Sequence, residues 1–238
     1  SDCGIYGNIA NATIRIAFQD GTQGTGESFE IDNSIISGGG YLVRTGSDDG
    51  GGDVTITDST LHDPTDANHC FWASGGNTEP TPATFVNVTF YDPSVPGGSP
   101  KSRGISGSSG VDIQEITDCR FFTPGPNIVE VPENSYTVSD TTMHTSTDDN
   151  AFFLLPAAGT ITVTDTIISG GGDKIAGDNS GGDPTPAGGF NIDYSAFVES
   201  GPFAITNRTD GNVTLTQGAN IITDDPEYVS TSINSPSL

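Results

Sequence analysis

Three pairs of adjacent aspartates, Asp48-Asp49, Asp148-Asp149 and Asp224-Asp225, are the residues of this chain that most invite a catalytic reading. Two carboxyl groups can hydrolyse a glycosidic bond when they face each other across a groove, roughly 5 to 9.5 Å apart. Sequence neighbours on a loop do not by themselves meet that geometry, and the plain reading of each pair is a solvent-facing turn. A second chemistry open to such loops is cation binding, because hard oxygen ligands on tight turns suit calcium. Asp48, Asp49 and Asp53 surround three glycines, and Asp173, Asp178 and Asp183 populate another glycine-rich stretch. The first set is the candidate metal site. Neither stretch matches the helix-flanked twelve-residue loop or the nonapeptide repeat. Nothing in the chain requires a cofactor, and calcium is the one ion its loops suggest.

The cations are few: Arg44, Arg103, Arg120, Lys101 and Lys174 are the ones that could act on a substrate. Arg44, with Tyr41 and the single tryptophan, Trp72, could line a sugar-binding groove, while aromatics in such short strands are ordinarily core. His62 and His144 occupy equivalent places in two repeats but lie roughly 14 Å apart if three strand spacings separate them, too far to share a metal. His69 stands alone beside Cys70. Cys119 takes the place of a small residue facing inward, so a buried thiol is expected there. Cys70 lies too far along the repeat for a disulfide with it, and Cys3 could pair only if the leading segment folds back. Asparagine in an Asn-x-Ser/Thr setting makes Asn11, Asn87, Asn207 and Asn212 glycosylation candidates.

The elements that must carry these residues are short strands. An inward apolar residue is followed two places later by Asn or Asp, then a small residue, then another apolar one. The clearest copy is Val54-Thr-Ile56-Thr-Asp58-Ser59-Thr-Leu61, with others at Phe29-Ile31-Asn33-Ser34-Ile36, Tyr136-Val138-Asp140-Thr141-Met143, Ile161-Val163-Asp165-Thr166-Ile168 and Phe190-Ile192-Tyr194-Ser195-Phe197. Degenerate copies centre on Phe85, Ile116 and Leu215. The anchors 31, 56, 85, 116, 138, 163, 192 and 215 are spaced by 22 to 31 residues, which is a solenoid period. Stacked anchors should form one interior column. Asn and Asp tolerate the left-handed backbone of a sharp corner. Asn33, Asp58, Asn87, Asp118, Asp140 and Asp165 are therefore read as a ladder of corners about 4.8 Å apart. Ile14-Arg-Ile16-Ala-Phe18 alternates like a strand and would cover the open end of the coil. Residues 1–27 are thus a cap or assembly segment, 28–230 the coil and 231–238 a tail.

The period, the Asn/Asp corners and the glycine-rich loops resemble the right-handed parallel β-helix superfamily of pectate-lyase-like coils. Near the end, Asp224-Asp225-Pro226-Glu227-Tyr228 followed by Ser235-Pro236 is similar to the closing segment of bacterial surface β-helix proteins. The resemblance spans about residues 28–238. It implies an all-β, right-handed parallel β-helix of about eight turns with an N-terminal covering segment. It also supplies a test for activity, since hydrolases of this fold carry Asn-Thr-Asp, Gly-His-Gly and Arg-Ile-Lys motifs that are missing here. Lyases of the fold use Arg or Lys as base and calcium to neutralise an acidic sugar. Here Arg44 and Lys174 fall on turns too far apart to serve one sugar residue.

Charge narrows the partners. Thirty-one acidic residues against seven Lys and Arg leave a formal charge of -24, which repels nucleic acid and anionic membranes. No apolar run of about 18 residues offers a membrane span. These readings converge on a non-catalytic extracellular or cell-surface β-helix, structural or adhesive, whose partners are other copies of itself end to end, as in a filament, or surface glycans. The alternative is a carbohydrate-active enzyme, a polysaccharide lyase or glycoside hydrolase, or a sugar-binding coil.

Overall fold

The computed structural model describes residues 3–6, 14–16, 28–45, 52–64, 69–73, 81–92, 104–107, 111–122, 128–130, 135–145, 153–155, 159–170, 175–177, 189–198, 205–206, 214–218 and 220. All regular structure among them is strand, arranged as a parallel β-solenoid. The chain visits three sheets in rotation, and each strand pairs with the one three places further on.

The first sheet holds Cys3–Tyr6 (β1), Ser34–Ser37 (β4), Thr60–His62 (β7), Thr89–Tyr91 (β10), Arg120–Phe122 (β13), Thr142–Thr145 (β16), Ile167–Gly170 (β19) and Ala196–Val198 (β22). The second holds Ile14–Ile16 (β2), Val43–Thr45 (β5), Phe71–Ala73 (β8), Ile105–Gly107 (β11), Val129–Glu130 (β14), Phe153–Leu155 (β17), Ile175–Gly177 (β20) and Ile205–Thr206 (β23). The third holds Ser28–Asp32 (β3), Asp53–Thr57 (β6), Thr81–Val86 (β9), Val111–Thr117 (β12), Tyr136–Ser139 (β15), Thr160–Thr164 (β18), Gly189–Asp193 (β21) and Thr214–Gln217 (β24). In the leading segment β1 and β2 add in parallel to β4 and β5.

Parallel pairing in register places like on like. In the third sheet Ile31, Ile56, Phe85, Ile116, Val138, Val163 and Ile192 are successive register partners, and all seven are buried. The expected eighth member of that column is corrected. Leu215 pairs with Phe190, in the neighbouring inward column, and the partner of Ile192 is Gln217. The first sheet contributes Ile36, Leu61, Phe90, Phe121, Met143 and Ile168, and the second Val43, Phe71, Ile105, Val129 and Phe153. Where the three inner faces meet, aromatic rings fill the bore. Phe90 and Phe121 stack at 4.4 Å between centroids, and Phe71 meets Phe85 edge-on at 5.0 Å. Pairs of this kind add about 0.5 to 1.5 kcal/mol beyond the area they bury.

Each described coil turns sharply between its third-sheet strand and the next first-sheet strand. Asn33, Asp58, Asn87, Asp118, Asp140 and Asp165 adopt φ between 44° and 54° there, the left-handed region that asparagine and aspartate enter at least cost among residues with a Cβ. A seventh corner is made by Tyr194, at φ 49°. Just inside the corner a small buried residue closes the bend. Ser34, Ser59, Thr141, Thr166 and Ser195 each donate a side-chain hydrogen bond to the carbonyl two residues back, at 2.6 to 2.9 Å. Three of these hydroxyls also accept from the coil before: Ser34 N–H donates to Ser59 Oγ, Cys119 N–H to Thr141 Oγ1 and Thr166 N–H to Ser195 Oγ. At five of the seven described corners the small residue is thus a hydroxyl that closes the bend, and at Ser59, Thr141 and Ser195 it also bridges two coils.

Candidate functional site

The corners line one edge of the solenoid and hold together through their backbones. The N–H of Asn33, Asp58, Asn87 and Asp118 donates to the carbonyl of Thr57, Val86, Thr117 and Ser139 respectively, in the next coil, at 2.9 to 3.2 Å. Side chains add a rung where types alternate, since Asn87 Nδ2 donates to Asp58 Oδ1 at 2.5 Å. At Tyr194 the arrangement changes. Its N–H goes to the carboxylate of Asp193 at 2.9 Å, and that same oxygen accepts from the backbone and side-chain amides of Asn220, both at 3.2 Å.

Of the candidate metal ligands Asp48, Asp49 and Asp53, the structure describes Asp53 alone. Asp53 is exposed at the start of β6, opposite Ser28, while Asp48 and Asp49 lie outside the described residues. No group of three or more His, Cys, Asp or Glu side chains among the described residues is placed to hold an ion. Asn87 is exposed, whereas Asn11, Asn207 and Asn212 fall outside the described residues. No helix among the described residues is long and apolar enough to cross a membrane.

His62 and His144 share one outward row of the first sheet, through His62–Tyr91–Phe122–His144, and so stand three strand steps apart. His62 Nδ1 meets Asp63 Oδ2 at 2.8 Å, and His144 Nδ1 lies 2.9 Å from Ser169 Oγ. Burial holds His144 below the ordinary histidine range. Cys70 and Cys119 are both buried free thiols. Burial pushes Cys119 up to about 12, against its bonds to the Val88 and Thr117 backbones. Cys70 is also raised, first by burial and then by the charges of Asp92 and Asp63. Thiols so held are poor nucleophiles. Cys3 sits opposite Ser34, in the register row that holds the corner hydroxyls.

The second sheet is where chemically capable side chains meet. In β8, Phe71 points into the bore while Trp72 lies half-buried on the outer face. Register sets Trp72 directly across from Arg44 of β5. The Arg44 guanidinium carbon lies 4.5 Å from the Trp72 ring centroid and 5.5 Å from that of Tyr41. The two rings are 5.0 Å apart and tilted by 30°, and His69 meets Tyr41 edge-on at 5.6 Å. The three residues proposed from sequence as a sugar-contacting group thus form one cluster, whose tryptophan faces outward. His69 is the member that sequence reasoning left apart. Its only signal was its place, three residues before Trp72 and beside the apolar step into the strand.

A guanidinium stacked on indole gains roughly 0.5 to 2 kcal/mol, depending on desolvation. It also fixes a planar fork of N–H donors at the surface of a strongly acidic chain. Such an arrangement can present flat apolar faces beside a fixed positive charge, which is the composition of a polar-ligand contact. No protein-family model, no curated protein and no solved structure matches this chain.

Proposed function

We propose that the chain is a non-catalytic extracellular solenoid, serving as a structural or adhesive module at a cell surface. The observation that supports this reading best is the stacking itself. Three parallel sheets, each eight strands deep, spend their inward residues on a continuous core and their corners on turning the chain. Such a coil is a spacer of defined length with edges at both ends. Among the described residues, β1, β2 and β3 at one end and β22, β23 and β24 at the other pair on one side only. Edges of that kind accept a further strand, so other copies end to end are one partner and a filament the assembled form.

The finer assignment belongs to the same proposal. The Asn/Asp corners and the closing Asp225-Pro226-Glu227-Tyr228 segment favour the right-handed pectate-lyase-like coils, as found on bacterial surfaces. Right-handed crossovers also account for about 98% of parallel connections in general. Calcium could act as a counter-ion on the acidic loops. A second reading, a sugar-binding or carbohydrate-active coil, is favoured by one feature, the cluster of Tyr41, Arg44 and Trp72.

Electron microscopy of the purified native material separates the readings. Filaments with an axial repeat near one coil length would support the structural module. Monodisperse particles that release reducing ends or unsaturated products from pectin, alginate or neutral glucans would replace it with an enzyme.

A further inference from the structure

We propose that Arg44, set against the paired rings of Tyr41 and Trp72, is a receptor for a single oxyanion, a sulfate ester or a carboxylate carried on a saccharide. The proposal rests on the adhesive form of the reading above and names the ligand chemistry of that surface. The guanidinium carbon of Arg44 lies 4.5 Å from the Trp72 ring centroid and 5.5 Å from that of Tyr41, and the two rings, 5.0 Å apart, lie to the same side of it, which leaves N–H donors on its other side to bond. Those donors form a fork that matches two oxygens of one anion. The group holds five donors, no acceptor, and a charge that proteins do not remove, so it binds an anion and does not serve as a proton-abstracting base.

The surroundings make the charge conspicuous. The chain carries thirty-one acidic side chains against seven Lys and Arg. No described carboxylate neutralises Arg44. The residue opposite it in register on β2 is Arg15, a second of the seven cations. The net charge of -24 opposes the approach of polyanions from a distance, but salt screens it beyond about 8 Å. What the surface then favours is a contact fork for one charged group, with ring faces beside it for the apolar face of a sugar.

Trp72 is the only tryptophan, so tryptophan emission, excited beyond the tyrosine band, reports on this site alone. The full chain would be titrated at near-physiological salt with a sulfated disaccharide, a uronate-containing disaccharide and their neutral counterpart. A saturable change with either charged sugar and none with the neutral one is expected, and whichever charged sugar responds identifies the anion. Arg44→Gln should weaken that binding by about tenfold to a hundredfold, the range of a charge-assisted hydrogen bond. Arg44→Lys should not restore it, because an ammonium lacks the planar fork. Equal response to the neutral sugar, silence with all three at millimolar concentration, or unchanged binding by Arg44→Gln would each overturn the proposal. The comparison of charged with neutral sugar needs no variant and so survives a substitution that unfolds the chain. Filaments seen without any saccharide response would sink this site while leaving the structural module standing.

Discussion

Tyr194 occupies a corner that six other described coils give to asparagine or aspartate, and it does so at φ 49°. The left-handed conformation costs an ordinary residue with a Cβ about 1 to 2 kcal/mol, part of which asparagine recovers by local hydrogen bonding. The ring repays little, because 61% of Tyr194 remains exposed. Comparing Tyr194→Asn with Tyr194→Ala cancels the lost ring, since both truncations remove it. Both also keep the backbone N–H that Asp193 Oδ1 accepts. What remains is the difference in left-handed cost, and Asn should be the more stable by about 1 kcal/mol. For a chain of this size that corresponds to roughly 2 to 4 °C in melting temperature. Tyr194→Gly should fall with Asn, because glycine has no Cβ to strain. Urea melts at constant slope supply the measurement. Equal midpoints for Ala and Asn would refute the claim that backbone strain selects the corner residues.

Three further outcomes are expected. Val163→Ala, at a fully buried point of the interior column, should cost about 1 to 3 kcal/mol through lost burial and the cavity left, read from the same melts. Melting temperature should rise with sodium chloride or calcium, because ions screen the self-repulsion of a chain at -24, and a flat response would remove that argument. In the native state Cys70 and Cys119 should resist an aromatic disulfide reagent at neutral pH until denaturant is added. Because the folded Cys119 thiol is raised from 9.0 to about 12, the unfolded state ionises first. Its contribution to stability is present below pH 9 and lost as pH climbs toward 12, so the midpoint should fall over that window.

The parts of the fold legible in sequence were those where backbone geometry filters residue type. A left-handed corner admits few side chains, so Asn33, Asp58, Asn87, Asp118, Asp140 and Asp165 mark themselves, and the small residue after all of them but Asn87 marks the inside of the bend. Tyr194 was legible through its flanking residues, since Phe190, Ile192, Ser195 and Phe197 keep the repeat around it. Short strands were harder. The three-residue strand β8 fits either phase, and sequence alone could not say whether Phe71 or Trp72 faces the bore. The strands just after each corner form a sheet of their own, and three or four residues carry too little alternation to announce it. At β24 two register positions compete. The apolar Leu215 drew the anchor to itself, although Gln217 is the one in register with Ile192. The candidate site was legible as composition and not as contact. Tyr41 and Trp72 are brought to 5.0 Å by the register of β5 on β8, and register is set by the whole stack.

The pairing of each strand with the third one after it also dictates how the molecule should respond to force. Bonds between parallel strands run along the solenoid axis, and the described strands begin at one end of the stack and finish at the other. Tension applied between the two ends therefore pulls on one coil's bonds at a time, opening them like a zip. Coils contact only their neighbours, so the stack should yield stepwise. Each step would free one repeat of 22 to 31 residues, or roughly 75 to 105 Å of extended chain. Drawn lengthwise, such a tether would pay out slack in unequal steps whose order follows the irregular spacing of its corners.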